Sequence, residues 1–351
     1  DSPARIEERQ RFVRERFVAA LGGFPERTPL RAQVTRTLER DDYRVEMLVF
    51  ESLPGFRVTA NVYVPRRPGP HPAVLGVAGH SDNGKASATY QRAWIAMAKR
   101  GFLVLAYDPP GQGERSLDFD PELGRSRVGI GTREHSHSGL QCLLTGHHFA
   151  RYELWDGIRA VDYLLTRKDV DPARLAVAGN SGGGTQAASL AVVEPRLAAV
   201  VSSCYMTSWK QLWFDPGPQD AEQVLPGFLA HGLDFADLAL AFAPRPFQIL
   251  SATRDFFPIA GARAAAAVAP CRGQVGGDLV QRPAQKHGVA EILNVAPDPR
   301  LAAERLRLVP HRPGFAEQIQ DDHAIVRHGL QERLDPRLGP ELAFEHERPA
   351  L

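Results

Sequence analysis

The sequence predicts an α/β fold, with a mostly parallel central sheet and helices on both of its faces. Strand-like apolar runs alternate with helical patterns along the chain, which is typical of this class. Residues 73–78 and 102–107 are continuously apolar, as expected of strands that are buried on both faces. The chain has 351 residues, 43% of them hydrophobic and 24% charged, which suits one large globular domain with insertions.

The order of the predicted elements follows from their periodicity and from the residues that end them. Residues 6–21 combine charged and apolar residues at helical spacing, and Gly22 and Gly23 end that pattern. Residues 43–51 and 56–64 alternate around Leu53-Pro54-Gly55, which predicts a hairpin. The remaining predicted elements are a strand at 73–78, a helix at 87–100, a strand at 102–107, a helix at 150–166, and strands at 175–178, 198–202 and 247–252.

The most specific motif is Leu-Ala-Val-Ala-Gly-Asn-Ser-Gly-Gly-Gly-Thr-Gln-Ala-Ala, residues 175–188. An apolar strand-like run enters a G-x-S-x-G turn, and an Ala-rich helical run leaves it. This order is the nucleophile elbow of an α/β-hydrolase, with Ser181 as the nucleophile. Bulky side chains two positions before and after the serine would collide, which explains Gly179 and Gly183. The alternative is a Gly-rich turn whose serine has no catalytic role.

A serine nucleophile needs a histidine to take its proton and a carboxylate to orient that histidine. In this fold the order along the chain is serine, acid, histidine. Asp255 follows the strand at 247–252 and is our candidate acid, with a turn or helix-cap carboxylate as the alternative. Asp108 is the rival, although its Asp-Pro-Pro-Gly-Gln-Gly context is closer to that of a structural loop near the site.

The histidine has several candidates beyond the acid. His287 follows a short strand candidate at 278–282 and precedes Gly288, and we favour it as the base. His311 follows a better strand candidate at 305–309 but lies farther from Asp255. His323 and His328 are also available, and a surface role remains open for each of these histidines.

The oxyanion hole needs two backbone N–H groups. Gly182, directly after the nucleophile, is expected to supply one. The loop at 76–84, after the strand at 73–78, is expected to supply the other, from His80 or Ser81. Only the backbone of His80 matters to this assignment.

Two insertions, at about 116–146 and 208–241, are expected to roof the site of a catalytic domain spanning 41–290. A helical extension at 1–40 precedes this domain, and a segment of uncertain structure, 291–351, follows it. Trp209, Trp213, Phe214 and Phe228 are predicted either to line an acyl or sugar site or to form the core of a small cap. Glu222 and Asp237 are read as buried acids that are structural or bind hydroxyl groups.

Composition argues against several function classes. The formal net charge of +1 gives no electrostatic reason to expect nucleic acid or an anionic membrane as a partner. No apolar run approaches the ~20 residues that span a bilayer. We expect neither a metal nor another cofactor, because serine chemistry needs none. The histidines at 135, 137, 147 and 148 form a His-rich patch that we interpret as loop histidines, one of which can hydrogen-bond substrate.

The three cysteines, Cys142, Cys204 and Cys271, have neither C-x-x-C nor zinc-ligand spacing, although one disulfide is possible. The sequence starts at Asp1, for which a removed signal peptide, and hence a secreted or periplasmic protein, is one explanation. Another explanation for this first residue is that the boundary of the sequence was simply set there. The oligomeric state does not follow from the sequence.

Several motifs along the chain together point to one family. They lie at 154–164, 170–175, 179–185, 215–223, 232–238, 243–246 and 255–258. Over about residues 40–288 the chain resembles the acetyl-xylan-esterase-like group of α/β-hydrolases. This resemblance implies a serine esterase without a metal, acting on acyl groups carried by carbohydrate-like alcohols.

In that group the catalytic histidine is typically followed by Gly and an aromatic residue. His287-Gly288 matches, but Val289 stands in the aromatic position, and the last sixty or so residues do not align.

These observations support three hypotheses of function. The leading one is a carboxylic ester hydrolase that acts through an acyl-enzyme on a small-molecule or carbohydrate ester. The second is a peptidase on the same fold, which would need an anchor for a peptide terminus. The third is a binding protein that has kept the elbow and lost its histidine.

Overall fold

A computed structural model of the chain describes residues 3–214, 219–268 and 290–295. The candidate bases His287 and His311 lie outside the described residues, as do His323, His328 and Cys271. The same holds for most of the C-terminal segment, 291–351.

A nine-stranded sheet forms the centre of the described structure, in the order β1-β2-β3-β5-β4-β8-β9-β10-β11. Its four central contacts, from β5 through β4, β8 and β9 to β10, are parallel, whereas the pairings at both ends are antiparallel. The strands are β1 Gln33–Glu39, β2 Tyr43–Leu53, β3 Phe56–Pro65, β4 His71–Val77, β5 Leu103–Tyr107, the separate hairpin strands β6 Phe119–Asp120 and β7 Arg125–Ser126, then β8 Val170–Asn180, β9 Ala199–Ser203, β10 Phe247–Ala252 and β11 Ala290–Val295.

Helices cover both faces of this sheet. They are α1 Pro3–Leu21, α2 Ala88–Lys99, α3 Thr132–Leu144, α4 Phe149–Thr166, α5 Gly182–Val193, α6 Trp209–Phe214, α7 Phe235–Phe242 and α8 Ile259–Val268, with a 3₁₀ turn at Gly84–Ala86. Because side chains alternate along a strand, Leu75 of β4 packs into the larger core with α4 and α5. Its neighbour Val74 packs on the opposite face, with Trp94 of α2. The predicted α/β fold is confirmed.

Two parts of the chain are more regular than the sequence pattern indicated. Strand β1 lies within residues 1–40, where we expected helical structure. All but one of its residues are exposed, so it shows no apolar alternation. The first insertion, in which the sequence pattern predicted no helix or strand, contains the β6–β7 hairpin and the thirteen-residue helix α3.

The N-terminal helix α1 packs against α7, which lies at the end of the second insertion. Arg9 forms a salt bridge with Asp237 at 2.9 Å, and the Gln10 amide donates to the carbonyl of Leu240 at 2.8 Å. Its buried side chains are Val13, Phe17 and Leu21. No helix in the described ranges is both long and apolar enough to cross a bilayer.

Candidate active site

The nucleophile elbow has the geometry that the motif predicts. Ser181 has φ 57° and ψ −123°, a conformation that costs energy for any residue with a side chain. It caps the start of α5, directly after β8 ends at Asn180. A Cβ atom on Gly179 would lie 2.1 Å from the carbonyl oxygen of Gly183, and one on Gly183 would lie 2.1 Å from that of Val77. The steric reason for both glycines is therefore confirmed.

Asp255 lies in the loop after β10, at the same edge of the sheet. The carboxyl ends of parallel strands share one edge, and β9 separates β8 from β10. Ser181 donates its backbone N–H to the carbonyl of Ser203 at 2.9 Å. The next residue, Cys204, has a thiol whose pKa is raised by burial and by the nearby Asp255 carboxylate. Cys204 therefore links the surroundings of the proposed nucleophile to those of the proposed acid.

The two oxygens of the Asp255 carboxylate have different surroundings. Oδ1 accepts the backbone N–H of Phe256 at 2.7 Å. Oδ2 is buried and receives no hydrogen bond within the described part of the chain. A buried carboxylate oxygen without a donor is costly. This oxygen is thus suited to accept a donor such as the N–H of an imidazole.

The rival acid, Asp108, has a full set of partners of its own. Its side chain is fully buried, pairs with the Lys85 ammonium, and accepts the Thr59 hydroxyl at 2.7 Å. It also accepts the backbone N–H groups of Lys85 at 2.7 Å and Glu114 at 3.3 Å. These contacts occupy both oxygens of the carboxylate and hold two loops together. They therefore favour a structural role for Asp108.

The predicted oxyanion loop lies against the elbow. A Cβ atom on Gly79 would lie 3.0 Å from the Cβ of Ser181. A Cβ atom on Gly182 would lie 2.8 Å from Cε1 and 3.0 Å from Nδ1 of the His80 ring. The chain brings His80 and Gly182, the two residues expected to form the oxyanion hole, into direct contact.

His80 also belongs to a group of four residues that the sequence did not reveal as a unit. Its Nε2 lies 3.2 Å from Nδ1 of His135, 3.1 Å from Oδ2 of Asp220 and 3.3 Å from Oε1 of Glu222. One potential ligand atom from each of these residues lies within 4.8 Å of the other three. We call this set, His80, His135, Asp220 and Glu222, the His–carboxylate cluster.

Buried charge dominates the electrostatics of the cluster. Burial lowers the pKa of His80, but Glu222 and Asp220 outweigh it and raise the pKa to about 9. Burial raises the pKa of Asp220, but hydrogen bonds from His135 and His80 bring it below its usual value. Glu153, behind the cluster, has a pKa raised well above the usual range by burial and by Glu222. The site therefore holds carboxylates and imidazoles tightly packed beside the oxyanion loop.

The predicted His-rich patch does not converge. His137 is exposed and lies near Asp118 and Gln141. His147 contacts the Arg151 guanidinium, and His148 caps the first turn of α4. His135 alone of these four contributes to the His–carboxylate cluster.

The proposed aromatic wall is divided between core and surface. Trp209 packs its ring against Phe235 and Phe228, with centroid distances of 5.3 and 6.4 Å. Trp213 is 60% exposed. For Trp209 these contacts favour the cap-core alternative over a substrate wall.

The two acids singled out in the second insertion have separate surroundings. Glu222 lies in the His–carboxylate cluster. Asp237 forms a capping box with Asp234 at the start of α7 and pairs with Arg9. Asp237 is therefore a structural group.

Cys142 and Cys204 are both free thiols.

Comparison with known proteins adds a family to this geometry. A family model described as acetyl xylan esterase matches residues 30–215, more than half of the chain. The chain belongs to the acetyl xylan esterase family. The match covers strands β1 to β9 and the elbow, and so includes the candidate nucleophile and both oxyanion residues.

One curated relative also matches part of the chain. YtaP of Bacillus subtilis strain 168, provisionally described as a hydrolase, is 27% identical over 202 residues. This match spans 54% of the chain and 62% of YtaP, which is less than two thirds of that relative.

Two solved structures extend the comparison. A Bacteroides fragilis protein provisionally described as an acetyl xylan esterase has a TM-score of 0.60 and 22% identity, over 70% of this chain and 68% of its own. The methylesterase BT1017 has a TM-score of 0.57 and 26% identity, over 75% of this chain and 53% of its own. The α/β-hydrolase fold expected from the elbow is confirmed.

Proposed function

We propose that this chain is a serine carboxylic ester hydrolase that acts through an acyl-enzyme. The observation that carries the proposal is the strained Ser181 between β8 and α5, with Asp255 on the same edge of the sheet. Ser181 Oγ attacks the ester carbonyl carbon, its proton passes to a histidine, and the alcohol leaves with that proton. Water activated by the same histidine then releases the carboxylic acid and restores the serine.

His287 is the histidine that we assign to this step, with His311 as the alternative. The role of Asp255 is to hold the Nδ1–H of that imidazole and to stabilise its protonated form. The buried Oδ2 of Asp255, to which no described residue donates, supports this role. Its neighbour Oδ1 is already fixed by the backbone N–H of Phe256, so the carboxylate is held in one orientation.

The oxyanion hole is assigned to the backbone N–H groups of Gly182 and His80. Gly182 begins α5, whose first N–H groups have no partner within the helix and favour negative charge. Donors aimed at the developing oxyanion are worth about 10²- to 10³-fold in kcat each.

The proposed substrate is an acetyl or similar small acyl ester of a carbohydrate-like alcohol. Membership of the acetyl xylan esterase family supports this class of substrate. The methylesterase among the structural neighbours makes a methyl ester the natural competing substrate in an assay. We propose no nucleic-acid or membrane partner, in keeping with the net charge of +1.

The testing experiment compares p-nitrophenyl acetate hydrolysis by the wild type and by Ser181→Ala, His287→Ala and His311→Ala. We expect Ser181→Ala to lose at least about 10⁴-fold in kcat and one histidine variant to lose a similar factor. The other histidine variant is the matched control and should retain activity. Unchanged hydrolysis by Ser181→Ala would refute the proposal.

A fluorophosphonate probe separates the remaining alternatives, because it labels only an activated serine. Stoichiometric labelling of the wild type, lost in Ser181→Ala, excludes a binding protein that has lost catalysis. Folded wild-type protein that is neither labelled nor active would support that binding protein instead. Hydrolysis of peptides at the same rate as esters would favour a peptidase.

A further inference from the structure

The His–carboxylate cluster has the composition and spacing of a metal site. Imidazole nitrogens and carboxylate oxygens are common ligands of zinc and of other divalent first-row metals. Four ligands at about 2.0–2.1 Å from a tetrahedral zinc ion lie about 3.4 Å from one another. Atoms of the cluster approach that geometry. His80 Nε2 lies 3.1 to 3.3 Å from His135 Nδ1, Asp220 Oδ2 and Glu222 Oε1, and His135 Nδ1 lies 3.1 Å from Asp220 Oδ2 and 3.8 Å from the other oxygen of Glu222, Oε2.

Hydrogen bonding fixes which nitrogen of His135 faces the cluster. Its Nε2 donates to the carbonyl oxygen of Pro110 at 2.8 Å, because a carbonyl can only accept. In the neutral ring the other nitrogen, Nδ1, then presents a lone pair. A backbone carbonyl bound to the outer N–H is the usual device that orients a metal-binding histidine.

Lone pairs crowd together in the cluster when its histidines are neutral. Nδ1 of His135, in the tautomer that donates from Nε2, and Oδ2 of Asp220 then both present lone pairs, 3.1 Å apart. Oε1 of Glu222 accepts the side-chain amide of Gln223 at 3.0 Å and lies 3.3 Å from Nε2 of His80. Oδ1 of Asp220 is buried without a hydrogen-bond partner among the described residues. A cation at the centre replaces the proton at Nε2 of His80 and takes one lone pair from each of the four cluster residues.

The ligands are well shielded from water. The side chain of His135 is fully buried, and those of Asp220 and Glu222 are 5% and 1% exposed. His80, at 21%, is the most accessible, so the cluster opens toward the oxyanion loop. Carboxylates buried to this degree need a paired charge, which a divalent ion provides.

We propose that the His–carboxylate cluster is a structural binding site for a divalent first-row transition metal, with zinc as its expected occupant. His80 Nε2, His135 Nδ1, Asp220 and Glu222 supply one ligand each. Four protein ligands complete a tetrahedron and leave no open position, as in structural zinc sites. The ion joins the oxyanion loop, helix α3 of the first insertion and the loop of the second insertion. It therefore holds both insertions close to Ser181.

Metal binding can be tested without any substrate, and therefore independently of the esterase proposal. The full chain is stripped with a chelator, loaded with Zn²⁺, desalted and analysed by elemental mass spectrometry. We expect about one Zn²⁺ per chain and a rise in Tm on loading, because a ligand that binds only the folded state stabilises it. Loading with Co²⁺ should give the intense visible absorption of a tetrahedral site.

The variants Asp220→Asn and Glu222→Gln keep the shape of the side chains and remove the charged ligands. Each should weaken Zn²⁺ binding by at least about tenfold and lose the Co²⁺ bands. His137→Ala is the matched control, since His137 lies on the same helix but outside the cluster, and Ser181→Ala is a second control. Both should bind metal as the wild type does.

Two results would overturn the proposal. One is a wild type that retains no more Zn²⁺ than Glu222→Gln and shows no tetrahedral Co²⁺ spectrum. The other is full metal binding by both carboxylate variants, which would assign the ion to other groups such as the free thiols. If a variant fails to fold, X-ray absorption of the zinc-loaded wild type decides, because the proposal requires a first shell of two imidazoles and two oxygens and no sulfur.

Discussion

The edge of the sheet and the two insertions, 116–146 and 208–241, which we call the roof, position their side chains in different ways. At the sheet edge, Ser181 and Asp255 each follow a parallel strand by a few residues, so the regular backbone fixes where they lie. In the roof, the His–carboxylate cluster is held by contacts between segments that are far apart in sequence, from His80 to Glu222. A strand-end residue can be found from local pattern, whereas a cluster of this kind exists only after the chain has folded.

The largest expected effect tests the catalytic role proposed for Asp255 at the edge of the sheet. Asp255→Asn should lower kcat by about 10² to 10⁴-fold with little change in Tm, because the amide no longer stabilises the imidazolium. Steady-state kinetics and thermal unfolding measure the two quantities. Asp108→Asn is the control, and its main effect should be a loss of about 3–5 kcal/mol in stability, because the buried Lys85 ammonium loses its buried partner and keeps only the exposed carboxylate of Glu114. The opposite pattern would make Asp108 the acid.

An intermediate effect is expected where the two regions meet. Gly182→Ala puts a methyl group 2.8 Å from His80 Cε1 and 2.9 Å from Glu222 Oε1, so the roof must shift away from the oxyanion hole. We expect kcat to fall by about ten- to a hundredfold with the protein still folded, since small displacements at a catalytic centre have effects of this size. Unchanged kinetics would show that the roof does not control the oxyanion hole.

Gly183→Ala is the contrasting variant. Its Cβ would meet the backbone oxygen of Val77 at 2.1 Å, which cannot move without disturbing β4. This variant should therefore lose soluble folded protein, as judged by circular dichroism and yield.

The smallest effect concerns the two tryptophans of the roof. Trp209→Ala should cost about 2 kcal/mol of stability, because the ring packs among Phe228 and Phe235. Trp213→Ala should change stability by less than about 0.5 kcal/mol, since that side chain is largely exposed. Urea unfolding measures both. A rise in KM for an acetylated carbohydrate in Trp213→Ala alone would assign substrate contact to the exposed ring.

The sequence predicted those parts of the fold whose pattern is local. Buried strands such as β4 and β5 are continuous apolar runs, and the elbow has glycines at fixed positions around Ser181. Strand β1 was not predicted, because its residues are exposed on both faces at the edge of the sheet. Helix α3 was not predicted, because its sequence mixes polar and small residues without a clear apolar stripe. That sequence is Thr-Arg-Glu-His-Ser-His-Ser-Gly-Leu-Gln-Cys-Leu-Leu.

The site divides in the same way. Ser181, Gly182 and Asp255 were proposed because each lies within three residues of the end of a strand. His80 was chosen for its backbone N–H, and its ring proved to contact Asp220, Glu222 and His135. One signal was present in the sequence, namely two acids two residues apart, at 220 and 222, in the second insertion. Which histidines they would meet depends on how α3 packs beside the oxyanion loop, and no local pattern encodes that contact.

Helix α1 has a practical consequence for anyone who trims this protein. A shortened form that starts after Leu21 would uncover the apolar surface of α7 and leave Asp237 without its arginine. Each of Val13, Phe17 and Leu21 contributes about 1.5–3 kcal/mol when buried. Such a shortened form should aggregate on expression, which soluble yield would reveal at once, whereas a purification tag placed before Asp1 leaves that surface covered.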